Sequence, residues 1–205
     1  MQGAFNFYEE TVARPEWPER LFFCIFPDVE TAISIGGFRD RFIGERDLKG
    51  TRLSPDRLHV SLHHIGDYKR LRTPLLFAAR QAGGAVSVPP FEMEFGFIRS
   101  FEGVRPPGDA MRRKPLVLLG EGKAATRLHE VLGAALARHG LRAGKHFTPH
   151  MTLLYGSKPI PMQAIEPVRF VVREFVLIHS ALGLTQHSVI DRWSLNCDAA
   201  GAKCA

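Results

Sequence analysis

The apolar positions along the chain fall into short runs separated by longer periodic stretches. Leu21 to Phe26 is a compact aromatic-rich run and reads as a buried strand. Asp28 follows as a helix N-cap, and the spacing predicts a helix from Val29 to Ile43, weakened at its middle by Gly36-Gly37. His59 to Ile65 reads as a strand. Pro74 to Ala82 reads as a helix that starts on proline and stops at Gly83-Gly84. Phe91 to Ile98 alternates like a strand, and Leu116 to Leu119 is another. Between them, Phe101 to Lys114 is a basic loop with Arg105, Arg112, Arg113 and Lys114, read as a solvated face that could also track an RNA backbone. The clearest helix is Ala124 to His139, where Leu128, Val131, Leu132, Ala135 and Leu136 recur at three- and four-residue steps and Gly140 stops it. Pro149 to Tyr155, Val168 to Ile178 and Ser188 to Leu195 complete the strands. This mixture predicts an α+β fold.

Composition narrows the setting. The chain has 205 residues, 45% hydrophobic and 23% charged, which suits one generous soluble domain or two small lobes sharing a core. No stretch reaches the roughly 18 apolar residues of a membrane span. Glu9, Glu10, Glu16 and Glu19 do not fit a secretory signal. Cys24, Cys197 and Cys204 are odd in number and lack metal-type spacing, so reduced thiols and a cytoplasmic setting are expected. Residues 1–19 read as an extension, 20–196 as the domain and 197–205 as a tail. The formal charge of +6 favours anionic partners. A monomer without cofactor, metal or membrane attachment is expected.

The chemistry lies in a pattern that occurs twice. His59-Val60-Ser61-Leu62 and His150-Met151-Thr152-Leu153 both read His, apolar, hydroxyl, Leu, each on a predicted strand. Residues two apart on a strand share a face, so each copy offers a proton-transfer group beside a hydrogen-bond donor. Histidine titrates near pH 6.5, so one copy can be neutral while the other is protonated. The neutral ring takes a proton from an attacking water, the protonated ring gives one to the leaving oxygen, and Ser61 and Thr152 donate to the nonbridging phosphate oxygens. One H-x-[ST] triplet means little; two on matched strands predict metal-independent phosphodiester chemistry.

With these residues and their flanks, the chain resembles the 2H phosphoesterase superfamily and its LigT-like branch, whose members are RNA 2′,3′-cyclic phosphodiesterases also described as 2′-5′ RNA ligases. The resemblance rests on Arg20-Leu21-Phe22-Phe23, Pro27-Asp28, Leu58-His59-Val60-Ser61-Leu62 with Ile65-Gly66, Phe147 to Leu153, Phe175 to Ile178 and Arg192-Trp193. It implies two pseudo-symmetric lobes, each an antiparallel sheet flanked by helices, around a central cleft that binds the RNA or nucleotide 2′,3′-cyclic phosphate. It also implies His59 as proton donor to the 3′ oxygen, His150 as base, Ser61 and Thr152 on the phosphate, a 2′-phosphomonoester product, and ligation as the reverse reaction. Two departures stand out. Many members carry Arg before the Pro-His of the second motif, where this chain has Thr148. Many carry a basic residue shortly after it, where this chain has Leu154-Tyr155.

Thr148 and Tyr155 are accordingly candidate substrate contacts, Tyr155 through stacking on a base. His63 shares the parity of His59 and Ser61 and is expected on the same face, where it could extend the site, although a satisfied strand histidine is the favoured reading. His59, His63 and His64 lack the mixed ligands of a metal site. His179 is a further candidate for the cleft. Two alternatives stay open: an RNA- or nucleotide-binding module with little turnover, and a two-histidine enzyme for another small cyclic phosphate.

Overall fold

A computed structural model describes residues 16–103, 113–184 and 186–196. Among these residues nine strands and three helices follow in the order β1 Glu19–Ile25, α1 Val29–Glu45, β2 Gly50–Arg52, β3 Val60–Tyr68, α2 Thr73–Gly84, β4 Phe91–Ser100, β5 Lys114–Glu121, α3 Lys123–Arg138, β6 His150–Gly156, β7 Gln163–Val172, β8 Glu174–Ala181 and β9 Gln186–Ser194. A 3₁₀ turn, Pro55–Arg57, precedes β3. The strands form one antiparallel sheet in the order β7-β4-β5-β6-β3-β1-β8-β9, with β2 beside β6. The fold is α+β and of the expected two-lobed kind. β7-β4-β5-β6 is one half and β3-β1-β8-β9 the other, and among the described residues the ladder between them is the single pair Val60↔Met151.

β1 reads as continuously apolar because both of its faces are covered. Leu21, Phe23 and Ile25 enter the main core under the helices, while Phe22 and Cys24 pack on the other face with Val176 and Ile178. The Asp28 carboxylate caps α1 by accepting from the Thr31 N–H at 2.8 Å. The helix runs through Gly36 because that position lies against Pro55, whose ring carbon would sit 3.2 Å from a Cβ there. In α3 the predicted stripe is buried: Leu128, Leu132, Ala135 and Leu136 face the core. α2 packs by Gly83 against Trp193, which stacks in turn on Phe175.

Two expectations change. The predicted strand Val168–Ile178 is two strands that meet at Arg173 and belong to opposite halves of the sheet. Both pieces are apolar, so hydrophobic pattern alone does not show the crossing. β2 is also new: three exposed residues with no apolar periodicity are held by backbone pairing to β6. Residues 1–15, the tail from 197 and the loop positions Arg105 and Arg112 lie outside the described residues. Lys114, at the end of that loop, pairs with Glu102 at 3.1 Å.

Candidate active site

The two motifs meet where the sheet halves join. Antiparallel register about Val60↔Met151 sets His59 across from Thr152, and Ser61 across from His150. All four line one cleft of about 580 Å³. The motifs are also built alike behind the rings. His59 Nδ1 lies 2.7 Å from the Arg57 carbonyl, and His150 Nδ1 lies 2.7 Å from the Thr148 carbonyl. A carbonyl only accepts, so each Nδ1 carries the proton and each Nε2 is left to the cleft. A backbone carbonyl two residues upstream thus fixes both tautomers.

Each motif strand then bulges. On β3, Cys24↔Ser61 is followed by Phe23↔His63, so Leu62 is the extra residue. On β6, Val117↔Thr152 is followed by Leu116↔Leu154, so Leu153 is extra. A bulge shifts the alternation of side chains by one. This overturns the expectation for His63. It turns away from the cleft and is buried, donating from Nε2 to the His129 carbonyl at 2.8 Å and accepting the Gly144 N–H at Nδ1 at 3.2 Å. Its ring stacks on His129 at 4.0 Å, and His129 stacks on Phe147 at 4.6 Å. His64 takes the cleft position instead, and Tyr155 takes the equivalent one on β6. Thr148 serves through its carbonyl, and its side chain is not part of the cleft lining. His179 is also absent from that lining; it pairs with Glu19.

Residues far apart in sequence complete the walls. Arg20 from β1, Arg52 from β2 and Arg57 from the 3₁₀ turn line the cleft, with Phe22 and His187. Arg20 holds Asp67 through two bonds of 2.8 Å, and this pairing keeps that carboxyl down to about 2. His64 bonds the same carboxylate at 2.9 Å. Arg57 donates to His187 Nε2 at 3.2 Å. Arginine only donates, so His187 is neutral, and burial first and the Arg57 cation second push it down to about 4. Burial also lowers His59, with the Arg57 and His150 charges acting in the same direction against the bond to the Arg57 carbonyl. Local sequence does not announce His187, because β9 joins this wall only through its pairing with β8. Arg57 carried the one available signal, two residues before His59 on a motif flank.

Residues 27–183 match the model of the 2′-5′ RNA ligase superfamily. The chain belongs to that superfamily. Solved structures of the same fold include Escherichia coli LigT complexed with 3′-AMP, at 23% identity and a TM-score of 0.67, covering 87% of this chain and 98% of that one. TT0787 of Thermus thermophilus aligns at 22% identity and a TM-score of 0.68, covering 87% of this chain and 99% of that one. No match is found among curated proteins. Membership of the superfamily makes the chain a phosphoesterase- or ligase-type enzyme with a LigT-like fold. No helix among the described residues is long and apolar enough to cross a membrane.

Proposed function

We propose that the cleft hydrolyses 2′,3′-cyclic phosphodiesters at RNA or nucleotide ends to 2′-phosphomonoesters by metal-independent acid–base catalysis between His59 and His150. The observation that carries this reading is the matched pair of rings, each held at Nδ1 by a carbonyl and offering Nε2 to one cleft. Such a pair serves a reaction that both takes and gives a proton. Ser61 and Thr152, one beside each ring, are placed to donate to the phosphate as charge builds on it. Arg20, Arg52 and Arg57 supply positive potential, and no carboxylate lines the cleft among the described residues. The complex of E. coli LigT with 3′-AMP supports a nucleotide-sized ligand for a cleft of this kind.

The test is hydrolysis of a 2′,3′-cyclic nucleotide and a cyclic-phosphate-ended oligonucleotide in EDTA. The wild type is expected to open both, and His59→Ala and His150→Ala to lose activity by about 10²–10⁴-fold. Turnover that requires added metal, or survives in both variants, sinks the mechanism. Salt-sensitive RNA binding without product would instead establish a binding module. A preference for a different cyclic phosphate would move the substrate and keep the chemistry.

A further inference from the structure

Three arginines line the cleft, and two of them already have a counter-charge. Arg20 gives its Nε and Nη2 to the Asp67 carboxylate, and Arg52 lies 3.2 Å from Asp40. Arg57 has none among the described residues; its neighbour Asp56 is exposed and forms no ion pair with it. The guanidinium is held by one hydrogen bond, from Nη2 to His187 Nε2 at 3.2 Å, and its Nε is buried without a partner. The N–H groups of Nη1 and the second of Nη2 are left for a ligand. A half-buried cation without a counter-charge is costly, because water solvates it poorly and no carboxylate neutralises it. An anion from solution removes that cost.

The walls decide from which side that anion comes. Arg57 and His187 stand between the cleft and a second cavity of about 1030 Å³, and they line both. The second cavity also carries Asp28, Asp56 and Glu174, which repel an anion. The cleft carries no carboxylate among the described residues. Arg57 is also close enough to His59 to lower that ring's affinity for a proton. Behind His150 the equivalent position is Thr148, which has no charge.

His187 plays its part by being neutral. A ring nitrogen that accepts from arginine carries no proton, and burial first, then the Arg57 and His59 charges, keep the ring neutral down to about 4. The ring lies 5.8 Å from Phe22 and 5.9 Å from His59, which fixes the place of the acceptor. Its Nδ1 is buried and has no partner among the described residues, so the bond to Arg57 is the one that the imidazole makes there.

We propose that Arg57 is the cation that binds the substrate phosphate, and that His187 is a positioning residue that aims the Arg57 guanidinium into the cleft. This role rests on the cyclic phosphodiesterase reading and names the group that meets the charge of that same site. A phosphodiester brings one negative charge, and more gathers on its nonbridging oxygens as water attacks. A planar guanidinium gives two parallel N–H bonds to two such oxygens, which a point charge does not. Arg57 holds the phosphate from the first-motif side, and His187 confines the guanidinium to the orientation in which its remaining N–H groups face the cleft.

Two measurements test the pair. The first is the affinity for inorganic phosphate, read by calorimetry without any turnover. Arg57→Gln and His187→Leu are each expected to weaken it by about tenfold or more. His187→Gln, whose amide oxygen can accept the same N–H, is expected to restore most of the loss. The double variant Arg57→Gln/His187→Leu is expected to lose no more than Arg57→Gln alone, because His187 acts through Arg57. The second is kcat/KM on a 2′,3′-cyclic nucleotide, where Arg57→Gln is expected to lose about 10²–10³-fold. Absence of phosphate binding in the wild type, or an unchanged affinity in Arg57→Gln, overturns the assignment of Arg57. Additive losses in the double variant, no rescue by His187→Gln, or a His187→Leu protein that melts earlier yet binds phosphate normally overturns that of His187. A wild type that binds phosphate through Arg57 but leaves the cyclic nucleotide intact overturns the cyclic phosphodiesterase reading instead.

Discussion

At the scale of single residues, Ser61 and Thr152 are small, stand beside the two histidines and touch the core little. Ser61→Ala and Thr152→Ala are therefore expected to fold normally. Each is expected to lower kcat by about 10²–10³-fold if its hydroxyl faces the charge that develops on phosphate. Steady-state kinetics on a cyclic nucleotide checks this, and a change confined to KM would show ground-state binding only. His63 and His129 carry a different consequence. Both are buried and neutral. Burial first, then the neighbouring His63, pushes His129 down to about 4, against an ordinary 6.5. Between those values the unfolded chain takes up a proton that the folded chain refuses. The contribution of His129 to stability is complete above pH 6.5 and is lost as pH falls toward 4; His63, lowered by burial, acts in the same direction. Urea unfolding at a series of pH values should show this decline, and His129→Phe should flatten it. An unchanged slope in that variant would remove the histidine as its cause.

At the scale of elements, the sequence makes most helices and strands visible, and its failures have physical causes. The α3 stripe and the turn glycines are local signals, and local structure follows them. The bulges at Leu62 and Leu153 are set by how each strand fits its neighbours, so period-two counting carries past them and puts His63 on the wrong face. The same counting is right for His59, Ser61, His150 and Thr152, because all four precede their bulge. Arg52 and His187 reach the cleft through strand pairing across the fold, which one stretch of sequence does not display. Helix packing leaves its own test at Gly83, where a Cβ would lie 2.5 Å from the Trp193 ring. Gly83→Val is expected to cost about 1–3 kcal/mol by overpacking, read from the denaturation midpoint, with Gly84→Ala as the mild control.

At the scale of the whole molecule, a formal charge of +6 and a cleft lined by three arginines make encounter with an anionic substrate sensitive to salt. kcat/KM is expected to fall as ionic strength rises toward about 0.15 M, where screening acts over about 8 Å. Arg52 is exposed and lies at the rim, so Arg52→Glu should lower kcat/KM at low salt and flatten its salt dependence. Equal slopes for variant and wild type would show that this charge plays no part in capture.

The single ladder pair between Val60 and Met151 has a consequence in time as well as in space. Neither half of the sheet holds both cleft histidines, and the residues that meet at the join are about ninety positions apart in the chain. Closing so long a loop is a late event in folding, because its entropy must be met before the distant contacts form. During refolding, helical signal and core burial can be complete within either half while turnover is still nil. Enzymatic activity in this protein is thus a clock for the final docking of its two halves.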